Sequence, residues 1–356
     1  MKKAIILLCV ALFVAVGFSG CVLPIEQQSA ITDGAEPTTD AGTGGVPSGV
    51  APPHGKPSIT ESETQTSTQG LLNFVASKTI TITNDMNGAE NSALTLKFSN
   101  GPVTVSSWDK RGYSFVITLK GYGSTPMEAE ANLDNIYVDS GDDLSGGTLT
   151  LKAVAMTKSD WNGKEASVAA RVSAVPLYDL SASTSNDPID ISGIKGGAIS
   201  CTTSNDPISI SDVSAKKISL FTSNDPITFA RVSADEVSAS TSNDPISGDL
   251  KANTVSLRTS NDPIDVSIES CKTGRYDLST SNDEVRLKIK NTERRGFDIT
   301  ADTTSSEISI RISNTETIGK QSEDHVHVRS KNFDSMEIRT DVRISTSNGD
   351  VTVGEM

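Results

Sequence analysis

Six aspartates recur at one place in a repeated block: Asp187, Asp206, Asp225, Asp244, Asp262 and Asp283. Each follows an asparagine, giving a second file of Asn186, Asn205, Asn224, Asn243, Asn261 and Asn282. The asparagines are 19, 19, 19, 18 and 21 residues apart. Carboxylates on successive stacked strands lie about 5 Å apart, where like charges repel and divalent cations can gather between them. The aspartates therefore read as solvated turn residues with screened charge, or else as a weak cation edge. The Gly-Gly-x-Gly-x-Asp calcium repeat is absent. The asparagines have a structural chemistry of their own, because identical amides one strand apart can hydrogen-bond as a ladder. Counted by strand parity from the apolar positions before them, they should face inward.

Little else in the chain could do chemistry. Of three histidines, His54 stands apart, and His325 and His327 could share a strand face without a third ligand. No nucleophile elbow, phosphate-binding glycine loop or His-Glu-x-x-His motif occurs. Aspartates repeated at identical places behave as scaffold, whereas an active site would break the repeat locally. The irregular stretch from Glu284 to Asp341, with Arg294-Arg295 and Lys320–His327, is where a polysaccharide-cleaving carboxylate pair would have to sit. Trp108 and Trp161 could stack on sugars, but packing explains two tryptophans equally well. We expect no catalytic residue, metal site or cofactor.

The elements that hold these files follow from the repeat. Thr-Ser-Asn-Asp-Pro-Ile occurs at Thr184–Ile189, Thr203–Ile208, Thr222–Ile227, Thr241–Ile246 and Thr259–Ile264, with looser copies at Thr280–Val285 and Thr346–Val351. Counting from Asn as zero, positions −6, −4, +3 and +5 are apolar in nearly every copy and polar residues stand between them. That is period-2 alternation on both sides of a turn, the mark of half-buried strands. A period near 19 is too short for a strand-helix-strand unit, which needs about 30 residues. The chain is therefore expected to be all-β: a stacked parallel β-solenoid, or β-helix, with about 19–21 residues per rung. Pro fixes its own φ and keeps the preceding Asp extended, so this corner turns without a residue at φ > 0.

Domain organisation is read from composition. Met1-Lys2-Lys3 and the apolar run from Ala4 to Phe18 make residues 1–20 a signal peptide. Phe18-Ser19-Gly20-Cys21 resembles a lipobox, which makes Cys21 the expected lipidation site and membrane anchor. Residues 21–70, rich in Gly, Pro, Ser and Thr, read as a disordered tether spanning roughly 40 Å. Residues 71–178 form an irregular β part and 179–356 the regular repeats. Thr125-Pro126-Met127-Glu128 predicts a short capping helix over 125–136, with Ala129, Leu133 and Ile136 on one face. Cys201 and Cys271 are expected to be free thiols, several rungs apart. Net charge is −14, falling to −16 once Lys2 and Lys3 leave with the signal, which disfavours nucleic acid as a partner.

Three segments carry a family likeness: Asn100-Gly101-Pro102-Val103-Thr104-Val105 followed by Trp108-Asp109; the Met127–Ile136 helix leading to Leu149-Thr150-Leu151; and Val172–Pro176 running into the Thr-Ser-Asn repeats, with Thr346–Val351 at the end. Over about residues 75–356 the chain resembles the prokaryotic "putative adhesin" domain family of unknown function. The resemblance implies a single-stranded right-handed β-solenoid and adhesion, and brings no catalytic residues. Asp-Pro stands where that family more often has Gly-Asp. The expected function is an exported, lipid-anchored cell-surface protein that binds an envelope or surface ligand, glycan or protein. A carbohydrate-active enzyme on a β-helix and a purely structural envelope spacer are the alternatives.

Overall fold

Short runs in which Val, Ile and Leu alternate with Ser, Thr, Asp and Lys become strands along the whole described chain, which is all-β apart from one α-helix and one 3-10 turn. The computed structural model describes residues 55–69, 73–173 and 177–356. The expected signal, Cys21, His54 and most of the expected tether lie outside the described residues. The tether's last part is corrected. Ser58–Glu61 (β1) and Gln65–Gln69 (β2) pair antiparallel with Asn73–Asp85 (β3). Every residue of β1 and β2 is exposed, so backbone bonds hold them, with polar side-chain contacts from Thr66 to Glu130 and from Glu61 to Lys78. Composition is blind to that, since edge pairing needs no apolar side chain.

The N-terminal part continues through Asn91–Lys97 (β4), Val103–Trp108 (β5), Gly112–Gly123 (β6), the helix Pro126–Asp134 (α1), Ile136–Ser145 (β7), Thr148–Thr157 (β8) and Lys164–Ser173 (β9). Here β4 runs parallel to β8 and β5 parallel to β9. The long strand β6 closes over β9 and β7 closes over β8, both antiparallel, and β3 covers β6. The sheet is therefore mixed, not parallel throughout. Helix α1 starts where predicted. Thr125 Oγ1 accepts from the Glu128 N–H at 3.2 Å, while the Glu128 carboxylate accepts from the Ser124 N–H at 2.8 Å. Ala129 and Leu133 are buried. The helix backbone lies so close to β6 that a Cβ at Gly121 would stand 2.2 Å from the Ala129 carbonyl oxygen.

The repeats form two walls of in-register parallel strands. One wall stacks Leu177–Ser183 (β10), Gly196–Thr202 (β12), Ser214–Phe221 (β14), the end of Ile227–Ser240 (β15), the end of Ile246–Arg258 (β16) and Gly274–Ser279 (β18). The other stacks Ile189–Ser192 (β11), Ile208–Ser211 (β13), the starts of β15 and β16, Ile264–Glu269 (β17) and Val285–Ile289 (β19). Strand β4 continues the first wall below β10, and β5 the second below β11. The apolar columns fill the interior: Ile199, Cys201, Ile208 and Ile210 in one rung are each at most 1% exposed. Each such aliphatic side chain stabilises the fold by about 1.5–3 kcal/mol before chain entropy is subtracted.

A further buried column, Ile194, Val213, Val232, Leu250, Ile268 and Ile289, lies past a second corner that the repeat reading did not define. That corner uses left-handed backbone at Gly193, Asp212 and Arg231, with φ of 67°, 53° and 54°. The 18-residue step drops this corner. The register between β15 and β16 shifts between Phe229 and Val232, and Gly248 takes φ 127° with no room for a Cβ, which would meet the Phe229 carbonyl oxygen at 1.9 Å.

The C-terminal end departs from sequence order. Arg295–Asp302 (β20) and Ile308–Arg311 (β21) form the outermost rung, and the hairpin Thr315–Thr317 (β22) with His325–Ser330 (β23) follows. The chain then returns as Ile338–Ser345 (β24) and Val351–Glu355 (β25). These two insert between earlier rungs: β24 pairs with β18 and β20, and β25 with β19 and β21. Val353 is fully buried between Leu287 and Ile310. The rung with a free flank belongs to β21.

Candidate functional site

The corner between the two walls gathers most of the residues singled out by spacing. Asn205 Nδ2 donates to Asn186 Oδ1 at 2.8 Å, Asn224 to Asn205 at 2.8 Å, Asn243 to Asn224 at 2.6 Å, Asn261 to Asn243 at 2.6 Å and Asn282 to Asn261 at 2.7 Å. Two members escaped the repeat count. Asn186 donates to Asn100 at 2.6 Å, and Asn348 donates to Asn282 at 2.9 Å. Asn100-Gly101-Pro102 and Thr346-Ser347-Asn348 had carried the signal as corner look-alikes. All amides donate in one direction, and Ser305 Oγ closes the far end on Asn348 Oδ1 at 3.3 Å.

The expected inward orientation is overturned: Asn186, Asn205, Asn224, Asn243, Asn261 and Asn282 are all exposed. Strand alternation ends at the preceding Thr, where the chain bends, so parity cannot be carried through the corner. The inward position belongs to Thr, and it carries a second ladder. Buried Thr203 donates from Oγ1 to the Asp187 carbonyl at 3.3 Å, Thr222 to that of Asp206 at 3.3 Å, Thr241 to that of Asp225 at 3.2 Å and Thr259 to that of Asp244 at 3.2 Å. Each bond satisfies a hydroxyl that would otherwise be costly in a dry core.

The aspartates stand beside the amides, half-buried, in file. Burial pushes the carboxyls of Asp206, Asp225, Asp244 and Asp262 up, and for Asp225, Asp244 and Asp262 neighbouring aspartate charge adds to it. The effect peaks at Asp187, pushed up to about 6 by burial, then by the charges of Asp206 and Glu165, with Lys120 partly offsetting them. Glu165 is held by Lys120 Nζ at 2.7 Å and by the Tyr122 hydroxyl, whose own proton is bound more tightly through burial and that bond. Among the described residues no three His, Cys, Asp or Glu side chains converge to hold a metal ion. Chemically this edge is a line of amides and carboxylates; Asn261 also donates to the Ser242 carbonyl and Asn100 to the Trp161 and Lys164 carbonyls, while Asn205, Asn224 and Asn243 each keep one N–H for an outside acceptor.

The other candidates lie apart. His325 Nδ1 meets Asp302 Oδ1 at 2.6 Å and His327 Nε2 meets Asp298 Oδ1 at 2.5 Å, both across the β20–β23 pair. Arg295 turns in to Glu269 at 3.0 Å, whereas Arg294 reaches Glu337 at 3.5 Å on the surface. Lys110 sits over the Trp108 ring at 5.4 Å, and Trp161 packs on the core. Cys201 and Cys271 are free thiols, the first buried, with its pKa pushed up to about 12, and the second exposed.

No protein-family model and no curated protein matches the chain. Among solved structures, a "putative adhesin" from Parabacteroides merdae is 12% identical, with a TM-score of 0.35, over 79% of this chain and 96% of that one. A "putative cell adhesion protein" from Clostridium sporogenes is 11% identical, with a TM-score of 0.27, over 79% of this chain and 100% of the other. A "putative lipid binding protein" from Parabacteroides distasonis is 9% identical, with a TM-score of 0.22, over 85% and 97%. All three superpose poorly on the whole chain.

Proposed function

We propose that the protein is an exported, lipid-anchored, non-catalytic β-solenoid of the cell surface that binds an extended surface ligand, glycan or protein, along its asparagine–aspartate corner. On this reading the stack is a single-stranded right-handed parallel solenoid, Cys21 is the anchor and residues 22–54 lift the domain from the membrane. The observation that carries the binding role is the continuous amide file from Asn100 to Asn348, which repeats one polar pattern at every rung. A ligand with its own regular spacing of hydroxyls or amides can meet such a file rung by rung, adding weak contacts by multivalency. A glycan and protein array probed with the full chain tests this. Binding that is lost when Asn205, Asn224 and Asn243 are replaced together by Ala supports the reading, and a blank array favours an envelope spacer. Release of reducing ends from a polysaccharide panel would favour an enzyme. Anchoring fails if Cys21→Ser remains as firmly membrane-bound as the wild type.

A further inference from the structure

The two ends of the stack are closed unequally. At the N-terminal end antiparallel strands cover both walls, β6 on β9 from Tyr113↔Val172 to Gly121↔Lys164 and β7 on β8 from Ile136↔Thr157 to Ser145↔Thr148. At the C-terminal end β23 covers only β20, from Asp298↔Arg329 to Asp302↔His325. Strand β21 pairs with β25 and, among the described residues, with nothing on its other flank. In a parallel ladder alternate residues turn both backbone groups to the same neighbour. Val351 N–H donates to the Glu307 carbonyl at 2.9 Å, so residues 307 and 309 face β25, and Ile308 and Ile310 turn N–H and C=O to the open flank. The side chains of Ile308 and Ile310 are only partly buried, unlike their partners Val351 and Val353, which are fully buried.

A groove of about 950 Å³ lies along this flank, lined by Thr304–Ile308 on one side and by Ser322, Glu323, Asp324 and Val326 on the other. That volume holds a few residues of extended chain. Its lining carries three carboxylates, Glu307, Glu323 and Asp324, and no cationic side chain. Glu307 and Glu323 are exposed and have no ion-pair partner among the described residues.

We propose that β21 is a docking edge for an extended basic peptide, which adds to Ile308–Arg311 as a further strand, lays alternate apolar side chains on Ile308, Ile310 and Val326, and sets Lys or Arg against Glu307 and Glu323. Main-chain bonds supply the affinity and the carboxylates select for charge, as in other strand-addition sites. The inference is independent of anchoring at Cys21 and of ligand binding at the asparagine corner.

The test is fluorescence anisotropy of a labelled Lys-Val-Lys-Val-Lys peptide with the full chain. Saturable binding is expected, weakened at least tenfold by Ile310→Pro, by Glu307→Lys with Glu323→Lys, and by N-methylation of the peptide's alternate amides. Ile310→Pro removes an N–H that no strand among the described residues uses, and proline is tolerated on such an edge; an unchanged thermal transition would show that the variant folds. Equal binding of the methylated peptide, of Ile310→Pro, or of Glu-Val-Glu-Val-Glu overturns the assignment. So does a chain that binds no peptide but forms a dimer that Ile310→Pro dissolves, because the edge would then belong to a second copy.

Discussion

Asn348 donates to Asn282 at 2.9 Å across 66 residues of sequence, and the rung made between them, 295–311, stacks on the far side of Asn348's own rung. The final strand of the chain is therefore an interior layer. Val351 and Val353 on β25 are fully buried.

Deleting residues 347–356 should cost at least about 3–6 kcal/mol from those two side chains alone, and strip β21 of the one strand it pairs with among the described residues. Loss of the cooperative urea transition, with new proteolytic cuts within 295–330, is the expected result. Deleting β1 and β2, which bury no side chain in the core, should cost under about 1 kcal/mol on the same measure. Equal effects at the two termini would contradict the intercalated order.

The two ladders should differ in weight. Thr222→Val keeps the shape but leaves the buried-side Asp206 carbonyl without its donor, a loss of about 1–3 kcal/mol. Asn224→Ala breaks two exposed amide bonds and should cost about 1 kcal/mol, while Asn224→Asp, which adds a charge beside Asp225, should cost more than Ala. Chemical denaturation ranks the three. Asp as mild as Ala at pH 7 would show that the file does not sense charge.

Gly248→Ala should be the most damaging single methyl in the repeats, by more than about 2 kcal/mol, since φ 127° and the Phe229 carbonyl both exclude it. Ala at Gly141, with open space around it, is the matched control and should be near neutral. The comparison is read from thermal melts.

The acidic corner should make the protein more stable in mild acid. Asp187 titrates near 6 in the fold against an ordinary value of 3.8, so the folded state holds that proton more tightly than the unfolded chain. Its contribution is full below about 3.9 and is lost as pH rises through about 6. Tm should be higher at pH 5 than at pH 7.5, and Asp187→Asn should flatten that slope and raise Tm at pH 7.5 by about 1–2 °C. An unchanged slope in Asp187→Asn would remove this residue from the account.

What could be read from the chain was whatever is local or recurs at a fixed spacing. The columns of Ile199, Cys201, Ile208 and Ile210, the start of α1 at Thr125-Pro126 and the pairing of Asn205 with Asn186 all follow from local alternation or fixed spacing. The outward turn of the asparagines did not, because the bend after Thr resets parity. The position of Asn348 did not either, since a rung can stack on any open flank and nothing in its own residues names which one. Strands β1 and β2 were hidden because backbone bonds and a few polar contacts hold them, with no buried apolar side chain.

Because β24 and β25 lie between rungs completed earlier in the chain, the tower keeps a gap until residues 338–355 have been made. Before then the rung 295–311 lacks the parallel neighbours it has in the finished fold. Residues 338–355 thus act as a keystone, and the order in which the layers stack differs from the order in which they are made.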